Sequence, residues 1–379
     1  MRSSEADRFS QADLDSMDRA LALAGRAYGQ TSPNPMVGAV VVRGGAVIGE
    51  GFHARAGRPH AEPQALEAAR RSVDSHRDST RDWTLYVNLE PCVHHGRTPP
   101  CVETVLAAPV GRVVIAHVDP DPRVAGRGVE RLRAAGIRVD VGCREREALE
   151  LNHAFVARQR RGHAFVALKV ALSADGCIAA ADGSQATITG PEARAHLHRL
   201  RAGLDAILIG VETLRRDRPR LDRRLYDGPG SSPRRLVLDP GLRSDPEWLW
   251  PGEPRPVLFC SRQALESRGA RLARVAEFVP LPEAETGLDL GALPAALRGL
   301  GLYSLLVEGG GRTHLRFLQA GWWDRFYLYR STVVRLQGLP WEAEEAWLAA
   351  RGKLVASATT RLGPDEVQVY AHPETRDPE

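Results

Sequence analysis

The chain has 379 residues, 43% apolar and 26% charged, which suits two globular domains and excludes a disordered, collagen-like or disulfide-stapled protein. Its 51 Lys+Arg against 47 Asp+Glu leave a net charge of +4 with acids and bases interspersed, so no basic face for nucleic acid is expected. No stretch approaches the ~20 apolar residues of a membrane helix and the N-terminus has no apolar secretory core, so a cytoplasmic protein with reduced cysteines is expected.

Apolar periodicity predicts a helix over Leu14–Tyr28, then strands Gly38–Val42 and Val47–Phe52 around a Gly44-Gly45 hairpin turn. Pro63–Arg71 reads as a helix with proline in its first turn, where the missing N–H costs nothing. A polar loop, Ser72–Asp82, leads to the strand Trp83–Leu89, the helix Cys101–Ala108 and the strand Arg112–His117. The helix Val129–Ala135, the short strand Arg138–Val141 and the helix Glu145–Val156 follow. Ala157–His163 is a polar, arginine-rich connector, and the domain boundary is placed there, giving 1–157 and 158–379. The second half restarts with the strand Ala164–Leu172. Thr189 and Glu192 form a capping box for a helix running to Ala202. Strands Ala206–Ile209, Arg235–Leu238, Pro256–Phe259 and Leu302–Val307 complete an α/β pattern in both halves.

The strongest chemical signal is His60-Ala61-Glu62, followed by Pro91-Cys92 and Cys101. One imidazole and two thiolates are a common zinc set. Three protein ligands leave a fourth position for water, whose pKa the metal lowers toward ~7. Glu62 is close enough to His60 to move that water's proton without ligating. Cys101 follows Pro99-Pro100 at a helix start, where the helix dipole favours a thiolate. The plainer reading is a surface His-Glu pair and two core cysteines. Zinc deaminases of nucleobases carry H-x-E…P-C-x-x-C. Here eight residues separate the cysteines, which sets the chain apart from plain cytidine, adenosine or polynucleotide deaminases.

The run from Leu89 to Cys101 (LEPCVHHGRTPPC) resembles the bifunctional deaminase/reductase of riboflavin biosynthesis, which has the same long spacing. Pro33-Asn34-Pro35 before Val37-Gly38, Gly49-Glu50-Gly51-Phe52-His53, and Asp119-Pro120-Asp121-Pro122 leading to Val124–Gly128 are similar too, in order, over residues 14–160. The resemblance implies a cytidine-deaminase-like three-layer α/β domain in which His60, Cys92 and Cys101 hold Zn2+ and Glu62 shuttles the proton. It implies that Asn34, His53 and His95 contact the pyrimidine and sugar. Arg97 would lie near the phosphate, and Asp119 and Asp121 would line the ribose phosphate end. The implied substrate is a phosphorylated pyrimidine, a diaminopyrimidinone ribosylamine 5′-phosphate, which loses its exocyclic amine as ammonia.

In the second half, Leu305-Leu306-Val307 runs into Glu308-Gly309-Gly310-Gly311 and a helix near Arg312–Ala320. Such a turn is either a phosphate cradle or a tight structural βα connection, and the dinucleotide fingerprint G-x-G-x-x-G is absent. Leu168–Gly176, Leu200-Arg201-Ala202, Asp205–Leu208, Thr213 before Asp217, and Pro219–Leu221 with Arg224 resemble the reductase half of the same family. That implies a dihydrofolate-reductase-like α/β domain with NADPH against Thr213, Asp217, Gly309, Gly310 and Gly311. Arg201, Leu221, Arg224 and Glu308 would hold the substrate, the arginines on its phosphate. Lys169 is either a snorkelling lysine or, by the resemblance, a charged substrate contact. The implied reaction is hydride transfer to C1 of the opened ribose, giving a ribityl chain. The chain departs from the family pattern at Thr187, Arg218 and Pro240, where tryptophan, an acid and serine are usual, and in the run RSTVVRLQG after Tyr329.

Deamination followed by reduction is the leading expectation. One alternative is a deaminase carrying a degenerate reductase domain. Another, of a different class, is a zinc-containing nucleotide-binding regulator, although structural zinc takes four protein ligands and three are evident. The expected partners are a small phosphorylated pyrimidine and further copies of the chain in a homo-oligomer, with no nucleic acid and no membrane.

Overall fold

The strand Gly38–Arg43 turns Ala39 and Val41 into one apolar layer and Val40 into another, the period-two pattern of a strand covered on both faces. The computed structural model describes residues 5–72, 81–94, 99–121, 124–352, 354 and 356–375, so His95 and Arg97 lie outside the described residues. The chain divides into two compact units, Met1–Arg160 and Arg161–Glu379.

In the first unit the elements run α1 (Gln11–Gly25), β1 (Gly38–Arg43), β2 (Ala46–Phe52), α2 (Ala61–Ser72), β3 (Trp83–Val87) and α3 (Cys101–Leu106). They continue with β4 (Val110–Ile115), α4 (Arg127–Ala134), β5 (Arg138–Val141), α5 (Glu145–Leu151) and α6 (His153–Arg161). The sheet order is β2-β1-β3-β4-β5. β1 is antiparallel to β2 and β3, whereas β3, β4 and β5 are parallel. Leu66 of α2, Val105 of α3 and Leu132 of α4 cover one face. Met17 and Leu23 of α1 and Ala148 of α5 cover the other, which gives three layers. α2 lies directly on β2: a Cβ at Gly49 would fall 2.2 Å from the Ala65 carbonyl oxygen, so this approach requires glycine.

The helix expected over Glu145–Val156 is two helices broken at Asn152. Its amide is taken up by the Met36 backbone, with Oδ1 accepting the N–H at 2.8 Å and Nδ2 donating to the carbonyl at 2.9 Å. The expected connector Ala157–His163 is corrected as well, because α6 continues through Arg161. Its arginines are anchors rather than linker residues: Arg158 donates to the Pro33 carbonyl and Arg161 pairs with buried Asp324 at 2.9 Å.

The second unit runs β6 (Phe165–Leu172), β7 (Cys177–Ala179), α7 (Pro191–Ala202), β8 (Ala206–Gly210), α8 (Val211–Asp217), β9 (Arg234–Leu238) and β10 (Val257–Cys260). Then come α9 (Arg262–Leu272), β11 (Glu277–Pro280), β12 (Glu283–Ala284), β13 (Gly287–Leu288), α10 (Leu293–Gly299), β14 (Ser304–Val307) and α11 (Gly311–Gln319). β15 (Arg325–Ser331), β16 (Leu339–Pro340), α12 (Glu344–Arg351), β17 (Ala358–Leu362) and β18 (Asp365–Ala371) close the chain. Nine strands form one sheet in the order β11-β10-β9-β8-β14-β6-β15-β18-β17. It is parallel as far as β15 and antiparallel over the last two strands. The central strands read as continuous buried apolar runs, as parallel strands covered on both faces do.

The capping box expected at Thr189 is not formed. α7 starts at Pro191, Gly190 occupies the N-cap position, and no side chain caps it. Proline's fixed φ suits the first helical position, so the start moves one residue on and Glu192 falls outside box register. The Gly190 N–H instead donates to the Asp365 carboxylate at 2.6 Å.

Candidate functional site

In the first unit three segments converge at the carboxyl ends of the central strands. The chain leaving β3 supplies Cys92. His60 immediately precedes α2, and Cys101 is the first residue of α3. His60 Nδ1 lies 3.1 Å from Cys101 Sγ and 3.7 Å from Cys92 Sγ. The three donor atoms lie within 4.8 Å of one another, the one such group found among the described residues. This donor set and spacing fit a single zinc ion with a fourth position left for water. The Cys101 N–H also donates to Cys92 Sγ, at 3.3 Å. Hydrogen bonding from Cys101 and His60 outweighs burial and holds the Cys92 thiol down to about 4, while the same Cys101–Cys92 contact, with burial, pushes Cys101 up.

Glu62, second in α2, is 3% exposed. Burial, reinforced by the charge on Cys92, pushes its carboxyl up to about 7. Asn34 and His53 meet beside the same centre. The His53 ring packs edge-on to His60 with centroids 5.3 Å apart. With Nδ1 donating to the Pro59 carbonyl at 3.1 Å, His53 Nε2 accepts from Asn34 Nδ2 at 3.1 Å. Burial lowers the His53 pKa, consistent with this neutral form. Asp119 and Asp121 are buried on the chain leaving β4, and Asp119 Oδ1 accepts the Asp121 N–H at 2.9 Å. Burial, with the charges of Asp121 and Glu90, pushes the Asp119 carboxyl up to about 6.

Sequence reasoning missed three buried polar side chains that hold this wall. Asn88 accepts the Gly38 N–H at 2.8 Å and donates to the Met36 carbonyl at 3.0 Å. With Asn152 it fixes the segment that carries Asn34. Glu90 is the third. A polar residue inside an otherwise apolar strand end was the available signal.

In the second unit Glu308 follows β14 directly, and its carboxylate accepts from Arg201 Nε at 2.7 Å and Nη2 at 2.8 Å. Arg201 Nη1 donates to the Asp222 carbonyl at 3.0 Å, which brings Leu221 and Arg224 to the same place. Leu221 is buried with φ 47°. Arg224 is exposed and pairs with Asp222 at 2.6 Å. Lys169, on β6 beside β14, lies 5.4 Å from the centroid of the Tyr329 ring, whose hydroxyl meets His196 Nδ1 at 2.7 Å. Burial lowers the Lys169 pKa against the opposing pull of Glu308.

The glycine turn opens α11, whose N-cap residue Gly310 makes no side-chain cap, the kind of helix start that can receive a phosphate. A Cβ at Gly309 would strike Thr313 at 2.5 Å. Thr213 Oγ1 accepts the Gly310 N–H at 3.0 Å, tying α8 to the cradle. Asp217 is one turn further along α8, where burial pushes its carboxyl up. A glycine turn opening a helix is a place where a dinucleotide phosphate can rest on backbone N–H groups.

A family model described as the cytidine and deoxycytidylate deaminase zinc-binding region matches residues 10–117, and one for the RibD C-terminal domain matches 164–334. The riboflavin biosynthesis protein RibD of Aquifex aeolicus is 38% identical over 328 residues, 86% of this chain and 89% of that protein. The Escherichia coli protein of the same name is 39% identical over 324 residues, 83% of this chain and 86% of that protein. Among solved structures, the diaminohydroxyphosphoribosylaminopyrimidine deaminase/5-amino-6-(5-phosphoribosylamino)uracil reductase of Thermotoga maritima has a TM-score of 0.80 at 32% identity, covering 95% of this chain and 99% of that one. Acinetobacter baumannii RibD has a TM-score of 0.78 at 31% identity, with the same coverage. With a zinc-binding deaminase region followed by a RibD C-terminal domain, the chain belongs to the riboflavin biosynthesis protein RibD family.

Proposed function

We propose that this chain carries out two successive steps of riboflavin biosynthesis, deaminating a diaminopyrimidinone ribosylamine 5′-phosphate and then reducing its ribosyl group to ribityl. The observation that carries the first step is the convergence of His60, Cys92 and Cys101 with Glu62 buried beside them. Bound zinc supplies a water acidified to near neutral pH, and bound NADPH supplies a hydride. Buried beside His60, Cys92 and Cys101, which would hold the metal, Glu62 would carry one proton from water to the ring nitrogen as oxygen joins the ring carbon, and a second to the amine as its C–N bond breaks and ammonia leaves. Asn34 and His53 orient the pyrimidine and sugar, with His95 and Arg97 assigned to the same substrate. Asp119 and Asp121 receive the ribose phosphate end. In the reductase, Thr213, Asp217 and Gly309–Gly311 seat the cofactor. Arg224, exposed and paired with Asp222, meets the phosphate. Three of the five Arg201 donors are engaged within the protein, so Arg201 and Glu308 shape the site together with Leu221, while Lys169 faces the sugar.

The match of residues 164–334 to the RibD C-terminal domain supports an active reductase over a degenerate one. The open three-ligand set supports catalytic over structural zinc. We place the boundary between the activities at 157/158, within α6. No helix among the described residues is long and apolar enough to cross a membrane. We place the protein in the cytoplasm as a homo-oligomer acting on small molecules, and light scattering of the purified chain reads that assembly. The functional test supplies the zinc-loaded protein with the ribosylamine phosphate and NADPH, and follows ammonia and NADPH absorbance together. Ammonia release with matching NADPH loss is expected. Ammonia alone leaves a deaminase with a silent second unit, and the absence of both signals overturns the proposal.

A further inference from the structure

We infer that Glu90 is a positioning residue that bridges the zinc-ligand segment to the segment bearing Asp119, and thereby sets affinity for the phosphorylated substrate. The inference rests on the reading that Asp119 and Asp121 line the ribose phosphate end.

Glu90 stands two residues before Cys92 and is 3% exposed. Both its oxygens are spent on backbone. Oε2 accepts the Asp119 N–H at 3.0 Å and the Gly126 N–H at 2.9 Å. Oε1 accepts the Gly128 N–H at 2.7 Å and the Val129 N–H at 3.1 Å. Its own N–H donates to the His117 carbonyl at 3.1 Å. A buried carboxylate is tolerated when hydrogen bonds fill its lone pairs, and bonds to a charged acceptor are about twice as strong as neutral ones. α4 has glycine at its N-cap position and no cap of its own side chains, so Glu90 serves as that cap, at the end of the helix whose partial charge favours an anion. Contact at this junction is direct: a Cβ at Gly128 would fall 2.4 Å from the Pro91 carbonyl oxygen.

One side chain therefore registers three things: the ligand segment before Cys92, the backbone of Asp119, and the start of α4. Asp121 follows Asp119, because its N–H is held by the Asp119 carboxylate. A carboxylate with four acceptor lone pairs suits four N–H donors. Glutamine turns one oxygen into an amide that faces two of those donors, so two bonds become repulsive contacts. The Asp119 segment then shifts while His60, Cys92 and Cys101 keep their places.

The test is a double-mutant cycle on the full-length zinc-loaded protein, with Glu90→Gln, Asp119→Asn and both together. Readouts are deaminase kcat and KM, zinc content, and the visible absorption of the cobalt-substituted protein. In Glu90→Gln, metal content, the cobalt spectrum and kcat are expected to stay near the parent while KM rises about tenfold, the lower range for residues that orient a site's contacts. Asp119→Asn is expected to raise KM comparably, with the double variant no worse than the larger single effect. If Asp119→Asn leaves KM unchanged, the placement of Asp119 itself fails. If Asp119→Asn raises KM and Glu90→Gln does not, the bridge is overturned. Loss of kcat with an altered cobalt spectrum and constant KM also overturns it, assigning Glu90 to Cys92 alone. Should Glu90→Gln fail to fold, Gly128→Ala displaces the same junction from the α4 side and is read by the same criteria.

Discussion

Arg201 and Glu308, 107 residues apart in the chain, meet in a two-pronged ion pair whose side chains are 10% and 8% exposed. Burial opposes both charges. The pairing outweighs it, keeping the Glu308 carboxyl low and the Arg201 guanidinium protonated. The pair joins α7 to the end of β14 at the point where the glycine cradle begins, so the geometry of the reductase site depends on it.

Removing one partner leaves a buried charge without compensation. Glu308→Ala should cost about 3–5 kcal/mol in the second unit's stability, as for other buried pairs broken from one side. Replacing both by methionine should restore most of that stability without restoring NADPH oxidation. Urea unfolding followed beside the reductase assay distinguishes the two effects. Equal stability of the single and double variants would show that the pair is not the unit it looks like.

Glu62→Gln should keep zinc and lose ammonia release by about 10²–10⁴-fold, the usual contribution of a positioned acid–base group. Glutamine keeps the size and one acceptor of the side chain but cannot carry the proton. Metal analysis of the purified variant, with ammonia measured by a coupled assay, checks both halves. Near-normal turnover would remove Glu62 from the proton path.

Arg224→Ala should raise the reductase KM for the phosphorylated substrate at least tenfold while leaving the KM for NADPH within about twofold, a loss of one charge-assisted phosphate contact. Arg224 is exposed and pairs with the neighbouring Asp222, so stability should change little. Equal effects on both KM values would place Arg224 on the cofactor side instead.

What was legible in the sequence follows from the range of each interaction. His60, Glu62, Cys92 and Cys101 stand in short motifs, and a helix start or a strand end displays each of them. The strands around Val40, Leu85 and Val113 show themselves by composition and alternation. Glu90 was opaque because its partners are N–H groups 29 to 39 residues further on, which carry no side-chain signature. Asn152 reads as a helix residue by local pattern because the backbone its amide holds, at Met36, lies 116 residues away. β17, with the sequence ATTRL, is an exposed edge strand that lacks an apolar face, so periodicity could not mark it. The start of α7 moved because Pro191 prefers the first helical position, a local rule that overrode the Thr189 pattern.

Acid stability offers a test within the first unit, away from the metal centre. Asp13 is 4% exposed. Its carboxylate accepts from Arg112 Nη1 at 2.6 Å, from the Tyr86 hydroxyl at 2.8 Å and from the Ser10 N–H at 3.0 Å. Burial alone would raise its pKa, but these bonds outweigh it and hold the carboxyl at about 2 against an ordinary 3.8. A depressed folded-state value contributes stability that is present above the ordinary pKa and is lost as pH falls from 3.8 toward 2. The difference corresponds to about 2 kcal/mol at neutral pH. Asp13→Asn should therefore be less stable than the parent by about that amount at pH 7, with the two stability curves converging as the pH approaches 2. Urea midpoints measured from pH 7 down to pH 3 check this. A constant gap between parent and variant across that range would show that the Asp13 charge is not the source of the stability.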